Sequence, residues 1–450
     1  MISPDRRPRF ACRRQTGGMT TALDLLQQVF GYPAFRGHQE AVVTHLAAGG
    51  HALVLMPTGA GKSLCYQIPA LLRPGVALVV SPLIALMQDQ VAALSARGIP
   101  AACLNSMLPQ AALRDCLSRL HGGVLKLLYV SPERVAQAGF LALLERLHGG
   151  RQLALFAIDE AHCIAEWGHD FRPEYRQLEV LCRRFPEVPR IALTATADLQ
   201  TRREIVEQLH LERAAQFVSS FDRPNVTYGV LPKRNPAAQV AAFLRVRHPG
   251  HSGIIYCQSR RQVEATALWL QQQGWPALPY HAGLPMELRE RHQRRFLRES
   301  ALVMVATVAF GMGVDKPDVR FVIHLECPKN LEGYYQETGR AGRDGLPAEA
   351  LLLYHPSDLA AQAVRLQCQS RSPERLRTEL GRLRALARYC ESESCRRQIL
   401  LDYFGERHGG DCRRCDNCEE ACSTWGGPPR RLHGITFAAD QFTPGVRRTR

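Results

Sequence analysis

The chain has 450 residues, a hydrophobic content of 46% and a formal net charge of +15; these values indicate roughly three packed domains and favour a polyanionic partner. No apolar run approaches the length of a membrane span, and the Arg-rich first twenty residues lack the hydrophobic segment of a secretory signal. Most of the fifteen cysteines are scattered singly, so we expect reduced thiols in the cytoplasm. Residues 1–20 are expected to form a basic disordered arm, with Met1 or Met19 as the start.

A glycine-rich stretch, residues 56–63, lies between two apolar runs. Ala52–Leu55 predicts a short buried strand before it, and Leu64–Leu72 predicts a buried helix after it. Such a loop aims backbone N–H groups at one point, which suits phosphate. Lys62 would add charge beside the β- and γ-phosphates, and the Ser63 hydroxyl would bind Mg²⁺. An ordinary glycine turn is the alternative, which the flanking strand and helix disfavour. The other loop residues expected to contact nucleotide are Thr58, Gly59 and Gly61.

Residues 29–39, ahead of this loop, combine aromatic, guanidinium and amide side chains between two helical patterns. Together these groups suit stacking on adenine and hydrogen bonding to its edge. Aromatic residues in such loops are as often packing residues, so spacing alone leaves both interpretations open.

Three further apolar runs, at residues 76–80, 125–130 and 153–158, predict parallel strands. The carboxyl ends of such strands face the crevice where ligands bind. The third run ends in Asp159-Glu160-Ala161-His162. There Asp159 is placed to hold Mg²⁺, Glu160 to orient and deprotonate the attacking water, and His162 is a further catalytic candidate. The alternative is a plain acidic helix start.

Residues 163–175 interleave aromatic side chains with a cation in a loop that contains glycine and proline. Single-stranded nucleic acid binds by stacking on such side chains, although the loop could equally pack onto the protein. Residues 193–197 then close the predicted lobe with a strand end whose two hydroxyls are placed to sense the state of the phosphates.

A polar connection over residues 221–236 leads into a second series of predicted strands, at residues 253–257, 302–307 and 321–325. Arg340 and Arg343 follow. If they lie three apart on a helical turn, they face one way, and from an opposing lobe they would reach a γ-phosphate as arginine fingers. Arginines on a solvated helix face are the alternative.

Taken in order, these motifs resemble RecQ-type DNA helicases of helicase superfamily two, over roughly residues 23–418. The resemblance implies an α/β fold of two RecA-like parallel-sheet lobes, with ATP in the cleft and 3′-to-5′ movement on single-stranded DNA. The resemblance assigns adenine contacts to Tyr32, Arg36 and Gln39. It also implies that Trp167, Phe171 and Arg172 couple DNA contact to ATP hydrolysis. The matching segments are residues 30–39, 57–63, 159–162, 167–175, 193–197, 221–225, 306–316 and 336–345.

The segment after residue 354 has a helical period and then a cysteine cluster. Closely spaced cysteines in a reducing compartment are metal ligands more often than disulfides, and four thiolates satisfy tetrahedral Zn²⁺. RecQ-like chains carry a mostly helical zinc subdomain here, and that pattern selects Cys395 over Cys390 and Cys422. The expected ligands are Cys395, Cys412, Cys415 and Cys418.

The expected domains are residues 21–218, 219–355 and 356–422, followed by a disordered tail at 423–450. RecQ-like chains usually continue into a winged-helix module, whereas the tail shows no sustained period. We expect either a basic tail or the product of a reading-frame change.

The expected activity is that of an ATP-dependent 3′-to-5′ DNA helicase in repair and recombination, using ATP, Mg²⁺ and Zn²⁺. Its expected partners are single-stranded and forked DNA, bound by a monomer associated with the nucleoid. Two alternatives stay open: an RNA-directed helicase, and a DNA-stimulated ATPase that binds or anneals DNA but unwinds poorly.

Overall fold

A computed structural model describes residues 20–105, 108–165, 172–311, 316–369 and 372–418. The expected basic arm, the tail, Trp167, Phe171 and Cys422 lie outside the described residues, Thr20 excepted. The chain divides into two compact units with the boundary after Ser219, and the short segments Pro57–Gly59 and Thr196–Leu199 group with the second. We call residues 20–219 the first lobe, 220–355 the second lobe and 356–418 the zinc subdomain.

The first lobe is built on a parallel sheet whose strand order is β3-β4-β2-β5-β6-β1-β7. The strands are β1 (Ala52–Leu55), β2 (Val76–Val80), β3 (Ala101–Leu104), β4 (Leu127–Val130), β5 (Leu153–Ile158), β6 (Arg190–Thr194) and β7 (Ala215–Val218). The helices are α1 (Ala22–Gln28), α2 (Gln39–Ala47), α3 (Leu64–Leu72), α4 (Ile84–Ala96), α5 (Gln110–His121), α6 (Pro132–Val135), α7 (Ala138–Gly149), α8 (Pro173–Arg176), α9 (Glu179–Arg184) and α10 (Leu199–Gln208), with a 3-10 helix at Ala161–Ile164.

The interior strands β1, β2 and β5 are apolar along their whole length, as is typical of a parallel sheet whose two faces are covered by helices. β1, β2 and β4 are buried at every residue. The predicted strands β1, β2 and β5 and the helix α3 are confirmed with the expected bounds. Since β5, β6 and β1 are neighbours and all parallel, their carboxyl ends meet at one edge of the sheet.

The second lobe has its own parallel sheet, ordered β10-β11-β9-β12-β13-β8. The strands are β8 (Val226–Pro232), β9 (Gly253–Tyr256), β10 (Ala277–Tyr280), β11 (Val303–Ala306), β12 (Phe321–His324) and β13 (Ala348–Tyr354). The helices are α11 (Pro236–Arg247), α12 (Arg260–Gln272), α13 (Met286–Arg298) and α14 (Leu331–Thr338). The expectation of a purely polar connection over residues 221–236 was wrong, because β8 lies within it and pairs with β13 over seven residues.

The zinc subdomain contains three helices among its described residues, α15 (Pro356–Gln369), α16 (Pro373–Glu391) and α17 (Arg396–Tyr403). Ser372 caps α16 by accepting a hydrogen bond from the Arg375 backbone N–H. Cys415 pairs with Tyr228 of β8 in an isolated bridge, so the subdomain is joined to the sheet of the second lobe. None of the described helices has the length and apolar character needed to cross a membrane.

Candidate nucleotide site and zinc cluster

The phosphate loop connects β1 to α3 and depends on two glycines. Gly59 and Gly61 have φ angles of +83° and +76°, a region that glycine enters at little cost. A Cβ on Gly61 would lie 2.4 Å from Nε2 of Gln39, so this position has no room for a side chain. The Lys62 ammonium donates a hydrogen bond to the Met56 carbonyl at 3.1 Å. The charge expected at the phosphates is therefore held inside the loop.

Gln39 joins the predicted adenine segment to the phosphate loop, a link that sequence analysis missed. Its side chain is 3% exposed, and its Nε2 donates to the carbonyls of Ala60 at 2.9 Å and Gly61 at 3.3 Å. Its Oε1 accepts from the backbone N–H of Arg36 at 2.9 Å. The Tyr32 ring, by contrast, is 42% exposed. The same amide thus connects the segment that carries Tyr32 with the loop.

The acidic pair lies at the carboxyl end of β5, as expected. The Asp159 backbone N–H donates to the Val80 carbonyl at 2.9 Å, which continues the strand pairing. Burial and the neighbouring Glu160 charge raise the pKa of Asp159, whereas Lys62 lowers it. Glu160 itself has left-handed backbone angles, φ 48° and ψ 45°, which cost a non-glycine residue about 1–3 kcal/mol. Its backbone N–H donates to Oδ1 of Asp159 at 3.0 Å.

His162 connects Glu160 with the neighbouring strand β6. Its Nδ1 lies 2.9 Å from the Thr194 hydroxyl and 3.4 Å from Oε2 of Glu160. The ring is 1% exposed, and burial, aided by the charges of Lys62 and Arg172, lowers the pKa of His162 to about 3. The imidazole is therefore neutral near pH 7, which suits a residue that orients Glu160 better than one that delivers protons.

Two residues at the end of the aromatic loop contact the backbone of the first lobe. Arg172 donates through its guanidinium to the Pro82 carbonyl at 2.9 Å. Tyr175 is buried, and its hydroxyl donates a hydrogen bond to the Asp159 carbonyl at 2.8 Å. Sequence analysis gave Tyr175 no role of its own, and its place in the aromatic loop was the available signal.

The helix expected to carry Arg340 and Arg343 ends before them, so that expectation was wrong. α14, capped by Asn330, runs over Leu331–Thr338, and both arginines lie in the following turn. Gly342 within that turn has a φ of +57°, which breaks the helical path. Arg340 is 4% exposed, whereas Arg343 is half-buried. The two arginines therefore do not share a helix face.

The four predicted cysteines form a compact cluster. The Sγ atoms of Cys395, Cys412, Cys415 and Cys418 all lie within 4.8 Å of one another. Zn–S bonds of about 2.3 Å in a tetrahedron place sulfurs roughly 3.8 Å apart. The Cys415–Cys395 and Cys412–Cys418 distances are both 4.0 Å, and the Cys415–Cys418 distance is 3.3 Å. Cys390 is buried beside Cys327, apart from the cluster. The sulfurs fit a tetrahedral Zn²⁺.

A buried ion pair supports this cluster. The Arg396 guanidinium donates from Nε to Oδ1 of Asp416 at 2.9 Å, and both side chains are buried. Asp416 also accepts from the Val230 backbone N–H at 3.1 Å and donates its own N–H to the Tyr228 carbonyl at 3.0 Å. The segment that carries three of the cysteines is thereby fixed to β8.

Family models match the chain in three consecutive parts. A DEAD/DEAH box helicase model matches residues 36–205, a helicase conserved C-terminal domain model matches 237–345, and a RecQ zinc-binding model matches 356–419. Two parallel-sheet lobes with a phosphate loop and an acidic pair, followed by a four-cysteine cluster, agree in order with these helicase and zinc-binding families. The predicted fold class is confirmed.

Among curated relatives, the chain is 42% identical to the ATP-dependent DNA helicase RecQ of Bacillus subtilis (strain 168) over 421 residues, which cover 93% of this chain and 69% of the relative. The chain belongs to the RecQ family of DNA helicases, as its motifs predicted. It is 48% identical to the RecQ helicase of Pasteurella multocida (strain Pm70) over 418 residues. That match covers 93% of this chain and spans 64% of the length of the relative.

Solved structures share the fold at low sequence identity. The Mycobacterium smegmatis helicase Lhr bound to ssDNA and AMP-PNP aligns with a TM-score of 0.58 and 21% identity, over 79% of this chain and 50% of that chain. The DEAD-box helicase Mss116 bound to ssRNA and UDP-BeF aligns with a TM-score of 0.59 and 16% identity, over 90% of this chain and 91% of that chain.

Proposed function

We propose that this chain is an ATP-dependent DNA helicase, which hydrolyses ATP, moves 3′ to 5′ along single-stranded DNA and unwinds duplex DNA. One observation carries the proposal: in a RecQ-family chain, the phosphate loop, the acidic pair and the Thr194 hydroxyl lie at the ends of neighbouring strands. The relatives named above are described as ATP-dependent DNA helicases.

In this proposal the first lobe binds the phosphates and prepares the attacking water. Lys62 exchanges the Met56 carbonyl for the β- and γ-phosphates when ATP enters. Ser63 and Asp159 would hold Mg²⁺, which fits because the carboxylate of Asp159, whose pKa is raised by desolvation, gains from a nearby cation. The ion would polarise the γ-phosphate. Glu160, oriented by neutral His162, accepts the proton of water.

The base and the phosphates of ATP are bound by connected groups. The exposed Tyr32 ring stacks on adenine, and Arg36 and Gln39 bond to it. Because the Gln39 amide also bonds to the carbonyls of Ala60 and Gly61, occupation of the base site acts on the loop. The remaining contacts of the proposal come from the second lobe, where Arg340 and Arg343 stabilise charge on the transferring phosphate.

DNA contact reaches the hydrolytic centre through the aromatic loop. Trp167 and Phe171 stack on bases, and a net charge of +15 attracts the phosphate backbone. Arg172 and Tyr175 connect that loop to the carbonyls of Pro82 and Asp159. The proposed substrates are single-stranded and forked DNA, bound by a monomer at the nucleoid during repair and recombination.

The zinc cluster is proposed to have a structural part in this motor. Four thiolates close the coordination shell of Zn²⁺, leaving no open position for catalysis. No observation favours the alternative of an ATPase that anneals DNA without unwinding it. An RNA-directed helicase is disfavoured because the named family members act on DNA.

Strand displacement tests the proposal. Duplexes of DNA and of RNA, each with either a 3′ or a 5′ single-stranded tail, are incubated with the protein, with and without ATP. We expect displacement only from the 3′-tailed DNA duplex and only with ATP. Displacement of RNA alone, of 5′-tailed DNA alone, or without ATP would contradict the proposal.

A further inference from the structure

The segment 221–225, which the motif comparison identified, has no part in the function proposed above. Its Arg223 guanidinium donates to three backbone carbonyls: to Gly339 at 3.0 Å, to Ala341 at 2.7 Å and to Gly342 at 3.2 Å. These carbonyls belong to residues 339–343, which we call the arginine turn because it contains Arg340 and Arg343. A cation is favoured here because carbonyls at a helix C-terminus are unpaired and carry partial negative charge.

Asn225 holds the same turn from a second direction. Its Nδ2 donates to the Gly342 carbonyl at 2.8 Å and to the Leu346 carbonyl at 2.9 Å. A Cβ on Gly342 would lie 2.4 Å from that Nδ2 atom. The side chain therefore reaches its acceptors only because residue 342 is glycine. The path of the arginine turn and the position of Asn225 fit each other.

The other side of the segment is fixed by α17 and the residues after it. Asp222 forms an ion pair with Arg397 of α17. The rings of Phe221 and Phe404 are stacked, with centroids 4.7 Å apart and planes 9° from parallel. Glu406 accepts a hydrogen bond from the Phe221 backbone N–H at 2.6 Å. The segment thus lies as a strut between the zinc subdomain and the arginine turn.

We infer that Arg223 is a positioning residue for ATP hydrolysis, which sets the conformation of the arginine turn and does not itself contact nucleotide. This inference rests on the proposed function, in which Arg340 and Arg343 act on the transferring phosphate. The planar guanidinium presents several donors in a fixed fork, so one side chain fixes the directions of three carbonyls of the arginine turn. The zinc subdomain holds that fork in place through Asp222 and Phe221.

The test is a set of ATPase measurements with single-stranded DNA present. The variants are Arg223→Gln, Arg223→Lys, Arg340→Ala and the double variant Arg223→Gln/Arg340→Ala. Arg73→Gln is the control, because the Arg73 guanidinium also bonds to two backbone carbonyls, that of Ala47 at the end of α2 and that of Ala154 in β5, both at 2.8 Å. For each variant, kcat, the KM for ATP, zinc content and the thermal unfolding midpoint are measured.

We expect Arg223→Gln to lower kcat on the order of 10- to 100-fold, since small displacements of a catalytic group are costly, with KM and zinc content unchanged. Arg223→Lys folds with the charge retained but restores only part of kcat, because an ammonium lacks the fork. The double variant should lose less than the product of the two single losses, since both changes act on the contribution of Arg340. Arg73→Gln lowers the unfolding midpoint and leaves kcat unchanged.

If Arg340→Ala lowers kcat, any of three results would overturn the inference. These are wild-type kcat in Arg223→Gln, losses of kcat that multiply in the double variant, and wild-type kcat in Arg223→Lys. Wild-type kcat in Arg340→Ala would instead overturn the proposed role of the arginines, and the inference with it. The single variant Arg340→Ala therefore distinguishes the two failures.

Discussion

The hydroxyl of Tyr175 donates a hydrogen bond to the backbone carbonyl of Asp159 at 2.8 Å, so the end of the aromatic loop bonds to the residue proposed to hold Mg²⁺. Tyr175 is buried and Asp159 is half-buried, so a movement of either segment would disturb this contact. This hydrogen bond therefore connects a loop proposed to contact DNA directly with the hydrolytic centre.

Tyr175→Phe tests that route. Loss of one buried hydrogen bond should lower the free energy of unfolding by about 1 kcal/mol, and the stimulation of ATPase by single-stranded DNA should fall more than the basal rate. Tyr389→Phe is the control, because it removes another buried hydroxyl, one that donates to the Tyr334 hydroxyl. An equal loss of basal and stimulated rates in Tyr175→Phe alone would mean that the bond is only structural.

The lowered pKa of His162 predicts a dependence of stability on pH. Below pH 6.5 an unfolded histidine binds a proton that the buried His162, with a pKa of about 3, does not bind. Stability is therefore lost as pH falls from 6.5 toward 3, by at most about 1.4 kcal/mol per pH unit. Denaturant unfolding at pH 7 and pH 5.5 should show a smaller loss in His162→Asn than in wild type. Parallel losses would show that His162 is protonated in the folded protein.

Gly61→Ala should damage the phosphate loop. The φ of +76° and the 2.4 Å approach of Nε2 of Gln39 leave no place for a methyl group, so we expect weaker ATP binding and lower stability. Gly381→Ala on α16 is the control, since no atom lies within 4 Å of its Cβ position, and there alanine should stabilise the helix by about 0.5–1 kcal/mol. Nucleotide titration and thermal unfolding measure both effects. Wild-type ATP affinity in Gly61→Ala would contradict this account of the loop.

Cys415→Ser should release zinc and lower stability, because metal binding and local folding are linked. Metal analysis of the purified protein should find one zinc per chain in wild type and none in the variant. Cys390→Ser should keep its zinc, since Cys390 lies beside Cys327 and outside the cluster. Purified wild-type protein without zinc would contradict the assignment.

Local patterns predicted the features that depend on near neighbours in the chain. The apolar runs of β1 and β5 and the cysteine spacing around Cys415 each contain their own signal. β8 was missed because Gly229 and Pro232 interrupt its apolar run and resemble loop residues. The end of α14 was missed because Gly339 and Gly342 terminate it just where a helical spacing of arginines suggested continuation.

Contacts between distant parts of the chain could not be predicted from spacing. The Gln39 amide bonds to carbonyls 21 and 22 residues away, and Arg223 bonds to carbonyls 116 to 119 residues away. The Arg223 contact exists because the parallel neighbours β8 and β13 bring the residues that precede them to one edge of the sheet. Sequence motifs identified the residues, and the folded sheets supplied their partners.

The most direct test of the account is ATP hydrolysis by wild type and by Lys62→Ala, measured with and without single-stranded DNA. Lys62 is the cation held within the phosphate loop, bonded to the Met56 carbonyl, so its removal should abolish most DNA-stimulated turnover. The unfolding midpoint and zinc content should stay at their wild-type values, because that bond lies far from the zinc cluster in sequence and in a separate unit. Wild-type turnover in a folded Lys62→Ala protein would contradict the assignment of the nucleotide site.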